Sequence, residues 1–395
     1  MPEWKEHKLI DLSIRITKGT TPTTIGLKFS NSGINFIKAE AFNYSGRIDK
    51  NSFNFIDEET HDKLKRSQLE KDDILFSMAG IYLGKTAIVT EDILPANTNQ
   101  ALGIIRLDKA KVNPKYVLHF LRQPKLIESI NLSSGQSAQP NINLDEIGSI
   151  EILLPSFKEQ LAISEVLNSI EEKTDLLYRQ NETLEQLAET IFKQWFLIEA
   201  NESWEEINFG AIIHQVKDRI KDSTEKAEYI KVLSAVKTGE LVLSEDYFTK
   251  QVFSKDIGNY IVVKQFDFAY NPSRINIGSI GMLGEDITGA VSPVYVVFRP
   301  KKDWHFYLQF MLKQQFVKST IEVYASGTVR QSLDYDSFSK IEIKLPPFEK
   351  VEMFNKYYFE SLNKINANKK QIKTLTHLRD TLLPKLMSGD VRLKM

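Results

Sequence analysis

The sequence contains no cysteine in 395 residues, so disulfides and thiolate metal sites are excluded as sources of order. Histidine is scarce. The six, at 7, 61, 119, 214, 305 and 377, show no HExxH or other paired ligand spacing, so scattered core or surface roles are expected rather than metal binding. No apolar run approaches a membrane span, and the opening MPEWKEHKL lacks the apolar stretch of a secretory leader. A cytoplasmic protein is the expectation. Charge of neither sign prevails: 51 Lys and Arg face 52 Asp and Glu, for a net −1. A uniformly basic nucleic-acid binder is thereby excluded, and any basic surface has to be local. What is present is ordinary globular chemistry, 42% hydrophobic and 26% charged, in a length that favours two domains over one core.

Comparison of the chain with itself gives those two domains. Trp4 finds Trp204, Ile37-Lys38 finds Ile230-Lys231, and Gly46 finds Gly239. Further on, Glu91-Asp92-Ile93 matches Glu285-Asp286-Ile287, Arg106 matches Arg299, and Ser134-Gly135 matches Ser326-Gly327. Order is kept throughout, and the match ends with IEILLPSFKE at Ile150 against IEIKLPPFEK at Ile341. Each repeat therefore spans about half the chain. Its first part is rich in strand patterns (DILFSM, KTAIV, ALGIIRL and IEILL; DFAYN and VYVVFR), whereas Tyr116 to Leu121 and Phe306 to Leu312 carry helical spacing. The expected fold is α+β, with globular domains at 1–155 and 201–345.

Each globular domain runs into a long helical pattern, at 156–200 and 346–395. The first has a heptad seam of Ile163, Leu167, Ile170, Thr174, Leu177, Asn181, Leu184, Ala188, Ile191 and Trp195, roughly 50 Å long at 1.5 Å per residue. The second offers Ile365, Asn368, Ile372, Leu375 and Leu382. Residues 156–200 carry four basic and nine acidic side chains, and residues 346–395 carry ten basic and five acidic. These opposite signs favour pairing of the two helices, as an antiparallel coiled coil with pseudo-two-fold symmetry. The plainer alternative is that each helix merely covers its own domain.

Motifs that would carry catalysis fall short. Gly80-Ile81-Tyr82-Leu83-Gly84-Lys85-Thr86 has three residues between its glycines where a phosphate-binding loop needs four, and a β-branched stretch follows in place of a helix. A tight turn presenting Lys85 at the surface is the better reading. Asn271-Pro272-Ser273 lacks the second proline and aromatic of the loop with which amino-methyltransferases hold a flipped base. Carboxylates are plentiful but form no recognisable pair.

The segments LPSFKEQLAISEVLNSIEEKTD, AETIFKQWF and LRDTLLPKLMSGDVRL resemble the conserved helical regions of type I restriction-modification specificity subunits. DILFSMAGIYLGKTAIV, SGQSAQPNINLDEIGSIEILLP and FAYNPSRINIGSIG resemble pieces of their target-recognition domains. The resemblance covers essentially the whole chain. It implies a non-catalytic subunit without cofactor, reading a bipartite double-stranded DNA target with one half per domain. It also implies two modification subunits, which bring S-adenosylmethionine and catalysis, and restriction subunits in the full complex. A stand-alone DNA methyltransferase or nuclease is the alternative, and a stand-alone regulator a third.

Loops combining glycine with amides, hydroxyls and Arg or Lys approach phosphates and donate to base edges. On that chemistry the DNA-binding candidates are Lys18, Thr20, Thr21, Lys85, Gln136 and Gln139 in the first domain. In the second they are Lys217, Arg219, Arg274, Asn276, Thr328, Arg330 and Gln331. Residues 1–155 balance nineteen basic against nineteen acidic side chains, and 201–345 eighteen against nineteen, so partner subunits are expected to complete the grip.

Overall fold

The computed structural model describes residues 4–133, 141–222, 230–247, 256–325 and 332–393. It divides into two compact units, Met1–Gln180 with Asn368–Met395, and Asn181–Ala367. Each unit thus holds one globular part and a piece of each long helix. No helix among the described residues is long and apolar enough to cross a membrane.

In the first unit the strands are β1 (Lys5–Lys8), β2 (Ser13–Lys18), β3 (Ile34–Ile37), β4 (Asn54–Ile56), β5 (Ile74–Ser77), β6 (Thr86–Ile88), β7 (Ala96–Thr98), β8 (Leu102–Leu107) and β9 (Glu151–Leu154). They make an antiparallel sheet β2-β8-β5-β6, a mixed sheet β4-β3-β7 with β3 and β7 parallel, and the pair β1-β9. The second unit has β10 (Glu206–Asn208), β11 (Ile213–Val216), β12 (Lys231–Ala235), β13 (Leu241–Leu243), β14 (Ile261–Val263), β15 (Phe268–Tyr270), β16 (Ile280–Met282), β17 (Gly289–Val291), β18 (Val296–Pro300) and β19 (Glu342–Lys344). Its sheets are β11-β18-β15-β16, β13-β12-β17-β14 and β10-β19. The repeat read from scattered identities recurs in the order of one four-stranded sheet, β2-β8-β5-β6 and β11-β18-β15-β16, and in the closing strand of each unit brought back beside its opening strand, whereas the mixed sheet has three strands in the first unit and four in the second.

Shared identities hold equivalent joints. Arg106 and Arg299 each close a bidentate pair with a buried aspartate: Arg106 Nε and Nη2 lie 2.8 Å from the Asp73 carboxylate oxygens, and Arg299 Nε and Nη2 lie 2.7 and 2.8 Å from those of Asp267. Such a fork satisfies a carboxylate that burial would otherwise penalise. The hydroxyls of Tyr116 and Tyr307 donate to the carbonyls of Leu153 and Lys344, tying the helices Pro114–Leu121 and His305–Met311 to β9 and β19. The first of these helices starts where Asn113 accepts from the Tyr116 backbone N–H at 3.0 Å and Pro114 occupies the first turn, where its missing N–H costs nothing.

The long helices run from Phe157 to Lys193 and from Phe348 to Ser388. In the first unit Ile163 and Leu167 share a core with Leu383, Leu386 and Met387, while further along Asn368 Nδ2 donates to Gln180 Oε1 at 2.9 Å. The two segments therefore pack antiparallel. In the second unit Ala188, Phe192 and Phe196 share a core with Val351, Phe354 and Tyr358. Of the positions read as a seam, Ile163, Leu167, Ile170, Leu177, Asn181 and Ala188 are buried, Thr174 and Leu184 are half-buried, and Asn368 on the second long helix is buried. Beyond Ala188, Phe192 and Phe196 are buried, whereas Ile191 and Trp195 are half-buried. The α-helix gives way to a π-helical turn at Gln194–Ile198, which shifts the side chains off the 3.5-residue repeat, and here the segment meets the aromatic core of Tyr307 and Phe310.

His305 stacks on Phe266 with ring centroids 4.1 Å apart, and burial pushes its imidazole down to about 4. In the unfolded chain it takes a proton at its ordinary value near 6.5. Its contribution to stability is therefore full above about pH 6.5 and is lost as pH falls through about 4. The expected result is that His305→Phe, which keeps the stack, lessens the fall in unfolding midpoint between pH 6.5 and 4. Parallel midpoint curves for the two proteins would contradict this.

Candidate nucleic-acid interface

Strand register gathers several of the sequence candidates at one end of the sheet β2-β8-β5-β6 and at one end of the sheet β11-β18-β15-β16. In the first unit Lys18 lies opposite Gly103, and Ser77 lies opposite Leu102. The loops leaving β2, leaving β5 and entering β8 consequently emerge side by side. Ile142 N–H donates to the Met78 carbonyl at 2.9 Å, which brings the stretch following Gln136 and Gln139 to the same end. Those two glutamines lie outside the described residues.

Lys18 is exposed, and Thr20 and Thr21 are half-buried. Thr20 N–H donates to the Thr98 carbonyl at 3.0 Å, and a Cβ on Gly19 would stand 2.1 Å from that oxygen, so the crossing of the two loops requires glycine there. Arg66 Nη2 donates to Thr20 Oγ1 at 3.1 Å, and the Thr21 hydroxyl donates to Gln100 Oε1. Arg66 and Gln100 therefore join the cluster, although sequence reasoning missed them. Neither stands beside a glycine, and only the fold brings them to Thr20 and Thr21.

Lys85 departs from its expected place. The turn is there, with Gly80 and Gly84 at φ 68° and 82°, but the lysine is 9% exposed. Its ammonium sits 4.1 Å above the Tyr82 ring and 5.1 Å from that of Tyr44, and donates to the Phe42 carbonyl at 3.2 Å. Burial pushes its pKa down, against the pull of Glu40. The rings and carbonyl hold the cation inward, and it is Ile81 that the turn presents, 81% exposed.

The second unit repeats the arrangement. Val216 lies opposite Val297, Tyr270 opposite both Val296 and Ile280, so the loops leaving β11, leaving β15 and entering β18 share an end. Lys217 and Arg219 on the first loop, and Arg274 and Asn276 on the second, are all exposed. Asn271-Pro272-Ser273 has a local explanation: Asn271 Oδ1 accepts from Ser273 N–H at 3.1 Å, and Asn271 N–H donates to the Ser279 carbonyl at 3.0 Å, closing the loop. Leu333 N–H donates to the Pro272 carbonyl at 3.1 Å. Thr328, Arg330 and Gln331 lie outside the described residues.

Two groups of cations, amides and hydroxyls, one per sheet end, suit a ligand with phosphates and base edges. Among the described residues, no group of three or more His, Asp or Glu side chains is placed to hold a metal ion. The family described as type I restriction modification DNA specificity domain matches residues 1–186. A type I restriction enzyme specificity subunit of Methanocaldococcus jannaschii, MjaIX, is 23% identical over 423 residues, covering 99% of this chain and 94% of the relative. The chain is thus similar over nearly its whole length to type I specificity subunits. The HindI specificity subunit of Haemophilus influenzae is 22% identical over 471 residues, covering 99% of this chain and 100% of the relative. The crystal structure of a type I system S subunit from M. genitalium shares the fold, with a TM-score of 0.63 at 17% identity over 99% of this chain and 96% of that one.

Proposed function

We propose that each unit reads one half of a bipartite DNA target through the loops at one end of a sheet, β2-β8-β5-β6 in the first unit and β11-β18-β15-β16 in the second. In the first unit these are the loops of Lys18, Thr20, Thr21, Arg66 and Gln100, and in the second those of Lys217, Arg219, Arg274 and Asn276. The long helices space the half-sites and dock two modification subunits, which bring S-adenosylmethionine and the catalytic machinery; restriction subunits join for cleavage. The subunit itself takes no cofactor. The observation that carries this reading is the convergence of described candidates at equivalent ends of the two corresponding sheets, β2-β8-β5-β6 and β11-β18-β15-β16.

Incubation of the purified chain with duplex DNA and labelled S-adenosylmethionine tests it. No methyl transfer is expected from the chain alone, and transfer is expected once modification subunits are added in a ratio of about two to one. Methyl transfer without partners would sink the reading. Within the shortlist, Arg274→Ala separates two roles: loss of discrimination at one base pair, by about 1–3 kcal/mol, marks base reading, and uniform weakening with a shallower salt dependence marks a phosphate contact.

A further inference from the structure

The second unit contains an open cleft of about 610 Å³ whose lining includes Lys193, Lys237, Lys313 and Lys318, against a single carboxylate, Glu189. All four lysines are exposed, and none makes an ion pair among the described residues. The cleft adjoins the recognition loop. Gly278, which ends the turn carrying Arg274 and Asn276, belongs to its lining, and a Cβ there would stand 3.8 Å from the Lys237 Cα.

The first unit shows what this place looks like when it is closed. The shared tyrosines, Tyr116 and Tyr307, align Arg122 with Lys313, and Gly46 with Gly239 stands against each. Arg122 is buried, and its Nη1 donates to both Glu171 oxygens at 2.9 and 2.8 Å. Aligning Phe157 with Phe348 puts Leu362 where Glu171 stands. The second unit thus has a cation at the position but not the internal acid, and three further lysines gather around it.

Resting on the DNA-reading assignment above, we propose that this cleft grips phosphates of the duplex backbone beside the half-site read by the second unit. It would be a positioning site, which fixes the duplex without reading it. Lysine is a flexible point charge and not a planar fork, so an exposed group of four suits phosphates more than base edges. Continuity with the Arg274 loop favours the same duplex over a separate anion. Because the matching place in the first unit is closed by its own ion pair, the extra grip falls on one half-site only.

The test uses the full chain assembled with its modification subunits and a fluorescent duplex carrying the target, titrated over a range of NaCl concentrations. Replacing all four lysines with alanine should lower the slope of log affinity against log salt by about 0.9 for each phosphate that is no longer neutralised, with base-pair discrimination unchanged. Lys→Arg at the same four positions should keep the slope. Should the fourfold alanine variant misfold by thermal unfolding, Lys237→Ala and Lys318→Ala singly should each lower the slope by about 0.9. An unchanged slope in folded variants would overturn the proposal, as would loss of discrimination at a single base pair. Loss of the modification subunits with the slope intact would also overturn it, making the cleft a protein-docking site. Failure of the unaltered complex to bind its target sequence-specifically would count against the function itself and is read separately.

Discussion

Replacing residues 201–345 with the corresponding segment of a relative is expected to change the second half of the DNA target completely and leave the first half as it was. Each unit has its own three sheets and gathers its own candidate loops, so no recognition loop of one unit is built on a strand of the other. The packing adds a condition. Phe192, Phe196 and Phe354 lie outside the exchanged segment but share ring contacts with Tyr307 and Phe310 inside it. The incoming domain must keep aromatic side chains there, because an aromatic-to-alanine change in such a core costs about 3–5 kcal/mol. Methylome sequencing of cells carrying the exchanged protein reads the outcome. Alteration of both half-sites would refute independent reading.

Glu171→Ala is expected to destabilise the first unit by about 3–5 kcal/mol, the range for removing one partner of a buried ion pair. Arg122 has 8% of its side chain exposed, donates to both oxygens of Glu171, and directs its remaining donors to the Thr86 hydroxyl and carbonyl at 3.2 Å. Burial pushes the pKa of its guanidinium down, Glu171 opposes that, and the nearby Arg379 adds to it. Without the carboxylate, a buried cation faces another cation. Gly46 leaves only enough room for the guanidinium: a Cβ there would stand 1.7 Å from Nη2. Replacing both partners, as Arg122→Met with Glu171→Leu, should recover much of the stability, because two apolar groups need no pairing. Chemical denaturation measures both. A destabilisation below about 1 kcal/mol in the single variant would show that the pair carries little of the joint between helix and globular part.

What could be read beforehand was what repeats or has a period. Ile150 to Glu159 and its echo at Ile341 marked the end of each globular part, and the run of Ile163, Leu167 and Ile170 marked the buried face of a helix, because spacing alone creates those faces. Pairing across distance was not legible. Nothing local joins Arg122 to Glu171, or Arg66 to Thr20; their partnership exists only once the sheet and helix bring them together. Lys85 is instructive in a different way. Its glycines announced a turn correctly, but whether the lysine faces water was decided by Tyr44, forty-one residues earlier, and by Tyr82.

The first unit takes Leu383, Leu386 and Met387 into the same core as Ile163 and Leu167. During synthesis, everything from Met1 to Gln180 therefore leaves the ribosome with part of its apolar surface uncovered, and waits for nearly two hundred further residues. The second unit, Asn181–Ala367, is one uninterrupted stretch and has all its parts sooner. Order of translation and order of completion are thus reversed: the half made first is finished last.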